Sequence, residues 1–377
     1  MNRADASECI GMLHFVNRVD ASNAGDRVAS PLTHFADFFT RYRVRRHDIR
    51  FIDFDEIHAG DVVIVGGGGL FDYAEFTNRA VNALFETGAT VISWSPGFNT
   101  HDAFHEPFTT PIAFERFTLA TVRDFGNDRG VPYLPDVSCA LPQLRERRET
   151  RREFGIARHK DHPIGLSGID TITNASSLDD ILTFLSETEV VVANSYHLIY
   201  WATLLGRKCI SPTGFSSRFA HFAYPPTFFD PHTDDLSAVA AEARVYDVLD
   251  ECVTQTGAFF SQVQEIVERR LSPASPTRQI YGLATELSIE QQRARESRLS
   301  LGNIVVSQLL VDTGDGFDPH QALSAVNNVY GDESMSARFD LSGFAGVERI
   351  RFRPLDGWPC KVTIVSATTD LDPIPLN

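Results

Sequence analysis

Short apolar runs alternate with amphipathic stretches between Ile10 and Arg270. The runs are brief and β-branched, as buried strands are; they are Ile10–Val16, Ile49–Phe54, Asp61–Val65, Thr90–Ser95, Val190–Ala193 and Cys209–Pro212. Stretches such as Leu70 to Glu86 carry apolar residues at helical spacing. Strands that alternate with helices predict an α/β fold with parallel sheets, whose ligands bind at the carboxyl ends of the strands.

This pattern divides the chain into three regions. Residues 1–143 predict an N-terminal doubly wound, Rossmann-like domain. A charged segment, Leu144–Arg152, is typical of a solvated helix or linker and opens a second α/β domain that spans residues 144–299 with terminal helices. Residues 300–377 predict a small antiparallel, sandwich-like β module, from the short segments Ile304–Val311, Ser336–Asp340, Arg349–Pro354 and Lys361–Ala367.

Four consecutive glycines, Gly66–Gly69, follow the apolar strand Asp61–Val65 and precede the predicted helix. A strand, a glycine turn and a helix N-terminus together form a backbone pocket for an anion. The spacing is neither the dinucleotide fingerprint nor the phosphate-loop motif. The alternative is a tight turn that allows close packing of helix on strand.

Composition narrows the functional classes. A net charge of −16 argues against non-specific nucleic-acid binding and against charge-driven adhesion to anionic membranes. Five scattered cysteines predict reduced thiols, the polar first residues lack the apolar core of a signal peptide, and no apolar run is long enough to span a membrane. We therefore expect a soluble cytoplasmic protein.

His197 is the strongest candidate for chemistry. It follows the strand Val190–Ala193 and is predicted to lie in the first turn of a helix, where free backbone N–H groups attract anions. A histidine there can exchange protons near neutral pH, or else pack between domains. Ser195 is either the helix N-cap or a substrate contact.

Charged residues at other strand ends are further candidates. Arg218, in a serine-rich loop, either binds a carboxylate or phosphate or is an ordinary exposed arginine. Arg123–Asp124 is either a ligand-binding pair or an internal salt bridge. Asp26 either caps a helix or binds a substrate hydroxyl. His101 and His105 bracket Asp102 and Glu106, but their spacing matches no standard zinc signature, so no metal is predicted.

An ordered set of short motifs resembles the polysaccharide pyruvyl transferase family over roughly residues 10 to 230. The matching stretches are Asn23–Asp26, Gly66–Phe71, Trp94–Asn99, Val122–Asp124, Asp136–Cys139 and Asn194–Trp201. The resemblance implies two Rossmann-like domains facing a cleft, as in GT-B glycosyltransferases. It also implies transfer of a pyruvyl group from phosphoenolpyruvate to a sugar or lipid-linked glycan acceptor, in bacterial surface-glycan and cell-envelope polysaccharide biosynthesis.

On this reading the site needs no cofactor and no metal. His197 is the catalytic residue, and the substrate-binding residues are Asn23, Asp26, Gly67, Gly68, Gly69, Asn99, Arg123, Ser195, Tyr196, Ser217 and Arg218. The location implied is cytoplasmic, with a peripheral position at the inner face of the membrane as a variant of it.

Two alternatives remain open at this stage. Many members of the family have an arginine shortly before the motif's histidine, whereas this chain reads Ser195-Tyr196-His197. This departure and the β module favour a GT-B-like glycosyltransferase that uses a nucleotide sugar. The other alternative is a non-catalytic glycan-binding protein whose β module recognises the glycan.

Overall fold

The structure is a computed structural model, and it describes residues 11–19, 22–100, 110–212, 214–273, 304–312, 323–328, 339 and 349–353. The chain divides into two compact units, Met1–Gly302 and Asn303–Asn377. Among the described residues, no helix is both long and apolar enough to cross a membrane. The first unit contains the α/β part of the chain and the second contains the β part.

The described strands of the first unit are β1 (Leu13–Asn17), β2 (Val44–Asp48), β3 (Val62–Gly66), β4 (Gly69–Phe71), β5 (Thr90–Trp94), β6 (Gly97–Phe98), β7 (Leu119–Ala120), β8 (Arg152–Arg158), β9 (Thr171–Thr173), β10 (Thr188–Ala193), β11 (Lys208–Pro212) and β12 (Thr227–Phe229). Two five-stranded sheets result, in the orders β2-β1-β3-β5-β7 and β12-β11-β10-β8-β9. All their pairings are parallel. The fold is therefore α/β with parallel sheets, as the alternating pattern predicts.

The α-helices are α1 (Ala24–Val28), α2 (Pro31–His34), α3 (Ala36–Phe39), α4 (Glu75–Leu84), α5 (Leu178–Ser186), α6 (Tyr196–Leu204), α7 (Leu236–Glu242) and α8 (Leu249–Arg270). Short 3₁₀ helices lie at Phe54–Glu56, Phe85–Thr87, Phe114–Arg116, Val137–Ala140, Pro142–Arg145 and Ser217–Ala220. Helix α6 is buried along its whole length, which explains its continuous run of apolar and aromatic residues.

Two predicted elements are wrong. The second strand is Val44–Asp48, not Ile49–Phe54, because polar Arg45, Arg46 and His47 conceal a strand at the sheet edge. Ile49, Ile52 and Phe54 are buried, but in turns and the start of a 3₁₀ helix.

The predicted helix Leu70–Glu86 begins later than expected. Gly69–Phe71 forms β4, which pairs with β6, and α4 starts only at Glu75. Between them Asp72 adopts a left-handed φ of 52°, which a continuing helix does not allow. The glycine turn consequently leads into a strand, and the predicted helix N-terminus beside it is absent.

Helix α8 contributes to the cores of both parallel sheets. Its first turns place Leu249 and Cys252 in the core around the second sheet. Its later turns place Phe259 and Val263 in the core around the first sheet, and Phe260 stacks on Phe35 with ring centroids 4.2 Å apart. One helix thus ties the two sheets of this unit together.

The second unit contains an antiparallel sheet, as predicted for the tail. Its described strands are β13 (Ile304–Asp312), β14 (Leu323–Asn328) and β15 (Arg349–Arg353), in the order β14-β13-β15. Strand β14 has no counterpart among the predicted segments. The predicted segment Lys361–Ala367 lies outside the described residues, as does Ser336–Asp340 except for Phe339.

Candidate functional site

Loops from both parallel sheets meet where their strands end. In the first sheet the glycine turn follows β3; the segment containing Asn99 follows β6, which comes shortly after β5 and pairs with β4 in a two-stranded sheet. In the second sheet Arg218 lies in the loop after β11. Ser217 joins the two sets, since its N–H donates to the Thr100 carbonyl at 2.8 Å and its hydroxyl accepts from the Thr100 N–H at 3.1 Å. The carboxyl edges of both sheets therefore contribute to one region.

His197 lies at the centre of this region, in the first turn of α6, and is 6% exposed. Its Nε2 is 3.3 Å from Oδ2 of Asp136. The same oxygen accepts a hydrogen bond from Nη1 of Arg123 at 2.7 Å. One buried carboxylate thus holds both a histidine and an arginine, and we call Arg123, Asp136 and His197 the junction cluster.

Asp136 is fully bonded. Its Oδ1 accepts from the Ser138 N–H at 3.0 Å and from the Ser138 hydroxyl at 2.7 Å. Its backbone carbonyl accepts from the Tyr200 hydroxyl at 3.0 Å. Burial alone would raise the pKa of Asp136, but His197 and Arg123 hold it well below its usual range. Asp136 is therefore an anion that fixes the position of its neighbours.

The guanidinium of Arg123 is hydrogen-bonded through only one of its nitrogens among the described residues. Its guanidinium lies 3.7 Å from the centroid of the Tyr196 ring, and the residue is 1% exposed. Its Nε and Nη2 are buried and have no hydrogen-bond partner among the described residues.

The predicted alternative of a salt bridge between Arg123 and Asp124 is not formed. Arg123 bonds to Asp136 instead, and Asp124 accepts from the Phe98 N–H at 2.9 Å. Burial raises the pKa of Asp124 to about 6, against the opposing effect of Arg123.

The second ring nitrogen of His197 faces helix α1. A Cβ placed on Gly25 would lie 2.0 Å from Nδ1 of His197, so only glycine fits there. Asn23 caps α1 through a bond from the Gly25 N–H to its Oδ1 at 3.0 Å. Asp26 lies in the first turn of α1 and Asn23 is the cap, so Asp26 does not cap the helix. The loop motif Asn23–Asp26 thus forms one wall around the imidazole.

The glycine turn allows close packing against Ala29 and also lies beside Asp26 of the site. Gly67 and Gly68 have φ values of 74° and 81°, and a Cβ on Gly67 would lie 1.5 Å from the Ala29 carbonyl oxygen. The Gly67 N–H donates to the Trp94 carbonyl at 3.2 Å, so this N–H is already bonded. A Cβ on Gly68 would lie 3.6 Å from Oδ1 of Asp26.

Gly69 packs in the same way against Asn99, whose side chain lies 2.9 Å from the Cβ position of Gly69. The Oδ1 of Asn99 is buried and has no hydrogen-bond partner among the described residues. Asn99 therefore offers an acceptor beside the glycine turn.

Arg218 approaches the junction cluster from the second sheet. It is partly buried, and its Nε has no hydrogen-bond partner among the described residues. Burial, and next the charge of Arg123, lower the pKa of Arg218 to about 10, which leaves it a cation at neutral pH. Two arginines with unbonded nitrogens therefore lie within electrostatic range of each other, an arrangement that an anion would stabilise.

The structure brings the predicted residues into one region, with differing roles. Ser195 occupies the N-cap position of α6 but makes no side-chain cap bond. Tyr196 serves as the flat surface beneath Arg123. His101, Asp102, His105 and Glu106 lie outside the described residues.

The sequence reasoning missed the role of Asp136, although its stretch was part of the resemblance. The available signal was Asp136 followed two residues later by Ser138, the pattern of a side chain that bonds its own backbone turn. The pairing of Asp136 with His197 spans 61 positions of the sequence and leaves no local trace.

Chemically, the region combines a cation, a histidine and acceptor groups. Arg218 can bind an anion and Asn99 can accept from a hydroxyl. His197 has Nε2 toward Asp136 and Nδ1 toward Gly25, and an imidazole of this kind can exchange a proton. Within the described part of the chain, no group of three or more acidic, histidine or cysteine side chains could hold a metal ion.

Comparisons with known proteins give little guidance. No protein-family model matches this chain, and no curated protein matches it. Among solved structures, a functionally uncharacterised protein from Klebsiella pneumoniae subsp. pneumoniae shares 19% identity with a TM-score of 0.34, over 53% of this chain and 82% of that chain. A likeness at this level carries no argument about function.

Proposed function

We propose that this protein is a polysaccharide pyruvyl transferase-like enzyme of bacterial surface-glycan biosynthesis, which transfers a pyruvyl group from phosphoenolpyruvate to a sugar acceptor. The observation that carries the proposal is Arg218, a partly buried cation whose Nε lacks a partner among the described residues. It lies in the same region as a buried histidine whose orientation Asp136 fixes. An anionic donor that must also take up a proton suits this pair.

The wider arrangement proposed is GT-B-like. The two parallel sheets would belong to two Rossmann-like domains facing a cleft, with donor and acceptor between them. The three buried cysteines that the structure describes, Cys139, Cys209 and Cys252, are free thiols, which is consistent with the proposed cytoplasmic location.

The reaction assigns distinct tasks to the residues. Two acceptor hydroxyl oxygens bond to C2 of the enolpyruvyl group, C3 takes a proton, and the bond from C2 to the phosphate oxygen breaks. The two hydroxyl protons balance the proton gained by C3 and the one carried by the departing phosphate. His197 would move one of these protons through Nδ1, since Nε2 faces Asp136.

Arg218 would bind the donor's negative charge. Arg123 is less suited to that task, because Asp136 and Tyr196 already hold its guanidinium. It positions His197 through their shared carboxylate. Asn99 and Asp26 would orient acceptor hydroxyls. In this scheme Arg218 takes the place of the arginine that many members of the resembling family have beside their histidine.

Binding of phosphoenolpyruvate tests the proposal directly. A ligand at one hundred times its dissociation constant stabilises a protein by about 2.7 kcal/mol, and thermal denaturation would detect the shift. We expect phosphoenolpyruvate to raise the melting temperature of the wild-type protein. Arg218→Ala should abolish most of that shift, because it removes a charge-assisted bond of about 1.5–3 kcal/mol.

Arg152→Ala is the matched control. Arg152 is also partly buried and also lies over a phenylalanine ring, with 4.6 Å to Phe184 against 5.4 Å from Arg218 to Phe215. It begins β8, at the opposite end of the second sheet. If phosphoenolpyruvate has no effect, or if a nucleotide displaces it, pyruvyl transfer is contradicted; displacement would favour the nucleotide-sugar glycosyltransferase.

A further inference from the structure

A second group of basic side chains lies in the loop that follows β8. The loop contains His159, Lys160 and His162, and Asn194 fixes its shape. The His159 N–H donates to Oδ1 of Asn194 at 2.7 Å, and Nδ2 of Asn194 donates to the His162 carbonyl at 2.9 Å. Asn194 lies directly before Ser195 and α6. The loop is therefore held beside the helix that carries His197.

Both imidazoles pack around one phenylalanine ring. His162 stacks on Phe215 with centroids 3.9 Å apart and planes 12° from parallel. His159 meets the same ring at 5.5 Å and an angle of 63°. The guanidinium of Arg218 lies 5.4 Å from the Phe215 centroid. We call His159, His162 and Phe215 the imidazole group.

The hydrogen bonds determine which nitrogen of His159 can donate. Its Nδ1 accepts from the Asp161 N–H at 3.2 Å, so the proton of the neutral ring is on Nε2. The His159 side chain is 17% exposed, so a ligand can reach it. His159 thus presents an N–H donor in a fixed orientation.

Two cations lie beside the two imidazoles in this small region of an otherwise acidic protein. The whole chain has a net charge of −16, yet Arg218 and Lys160 lie near His159 here, against one carboxylate, Asp161, whose Oδ2 is 3.8 Å from Nδ1 of His159. Burial, then Arg218 and His162, lower the pKa of His159 to about 4 against the opposing effect of Asp161, so the ring is neutral at pH 7. An anion placed here would be attracted by Arg218 and Lys160 and would accept a hydrogen bond from the neutral His159 ring.

We propose that the imidazole group is a second anion subsite, which binds a phosphate or diphosphate group carried by the acceptor. The proposal rests on the proposed function for the reaction, but names a part of the substrate that the reaction leaves unchanged. A phosphate group offers several acceptor oxygens to the ring N–H groups of His159 and His162. The subsite adjoins the donor region through Arg218 and through Asn194, so an acceptor phosphate bound there would position the sugar beside His197.

Inorganic pyrophosphate is the probe for this subsite. We expect pyrophosphate to raise the melting temperature of the wild-type protein, and to do so additively with saturating phosphoenolpyruvate. The double variant His159→Gln/His162→Gln should bind pyrophosphate at least about tenfold more weakly, as expected for the loss of charge-assisted bonds. Its shift with phosphoenolpyruvate should be retained, because neither histidine belongs to the proposed donor site.

Two further variants provide a second test, His162→Phe, and a control, His58→Gln. His162→Phe keeps a ring to stack on Phe215 and removes the donors, so it tests the proposal if the double variant does not fold. His58 is exposed in the loop before β3, and its substitution should change nothing. UDP and geranyl diphosphate, compared in the wild type and the double variant, identify whether a nucleotide or a lipid carries the phosphate.

The outcomes separate the two proposals. Equal pyrophosphate binding by the wild type and both histidine variants, or its displacement by phosphoenolpyruvate, would overturn the second subsite. Pyrophosphate binding that needs these histidines, combined with no effect of phosphoenolpyruvate, would support the subsite and refute pyruvyl transfer.

Discussion

Two buried clusters of histidine and aspartate in the same unit differ in what they leave unbonded. In the first sheet, Nε2 of His14 is 3.2 Å from Oδ2 of Asp61, and Nδ1 of His14 is 3.0 Å from Nε2 of His47. Asp61 also accepts from the backbone N–H groups of Met12 and His58, each at 2.7 Å. Every polar side-chain atom of His14 and Asp61 is thus satisfied.

The junction cluster has similar chemistry but an excess of donors. Arg123 keeps two buried nitrogens without partners among the described residues, and Arg218 nearby keeps one. Unsatisfied buried groups are costly, so native proteins retain few of them and usually for a reason. Burial and a histidine–aspartate bond occur in both clusters, whereas the unbonded arginine nitrogens among the described residues occur only at the junction cluster, which makes it the better candidate for binding an anion.

The largest expected effect comes from breaking the aspartate of the junction cluster. Asp136→Asn leaves the buried Arg123 cation without its counter-ion, which should lower the free energy of unfolding by about 3–5 kcal/mol. Asp61→Asn leaves no buried arginine without its counter-ion and should cost about 1–3 kcal/mol through one lost hydrogen bond. Chemical denaturation of both variants measures the difference. A larger loss of unfolding free energy for Asp61→Asn than for Asp136→Asn would contradict this, and would show that the buried charge pair lies in the first cluster.

A smaller effect is expected at the helix that faces His197. Gly25→Ala places a Cβ where Nδ1 of His197 lies, so the imidazole must move, at a cost of about 1–3 kcal/mol from overpacking. Phosphoenolpyruvate binding should weaken with it. Gly257→Ala in α8 meets nothing within 4 Å, and should instead raise stability by about 0.5–1 kcal/mol. Denaturation and ligand-induced melting shifts report both; unchanged ligand binding in Gly25→Ala would remove His197 from the site.

The smallest expected effect is on how the free energy of unfolding changes with pH. Burial, then His14 and Arg45, hold the pKa of His47 well below its ordinary 6.5, so the unfolded chain binds a proton that the folded chain does not. This contribution is complete above pH 6.5 and is lost as the pH falls below it. The depressed pKa of Asp136 acts only below its ordinary 3.8.

Asp124, His34 and His159 also contribute to the pH dependence between these values, so the part due to His47 is obtained by comparing the wild type with His47→Gln. His47→Gln should make the loss of stability on acidification shallower, by at most about 1.4 kcal/mol per pH unit. Denaturation curves of the wild type and of His47→Gln, recorded between the two ordinary pKa values, measure this difference in slope. A His47→Gln protein with the wild-type slope would show that His47 is already charged in the fold.

The hydrophobic pattern predicts an element correctly where its buried residues are apolar. Strand β3 is buried on both faces and is apolar throughout, so its position follows from its pattern. Strand β2 lies at the sheet edge and carries two arginines and a histidine, so the pattern misplaced it.

The site follows from sequence only in part. His197 and Arg218 were predicted because each follows a strand. The pairing of Arg123 with Asp136, across 13 residues, and the packing of His159 and His162 around Phe215 depend on loops that meet only in the folded chain. No local sequence pattern encodes such contacts.

The course of α8 has a consequence for how the first unit denatures. Its early turns complete the core around the second sheet, and its later turns complete the core around the first, with Gly257 between them. If either core were to open, half of this helix would lose its apolar partners while the other half remained packed. The two sheets are therefore expected to unfold in one cooperative transition, with α8 as the coupling between them.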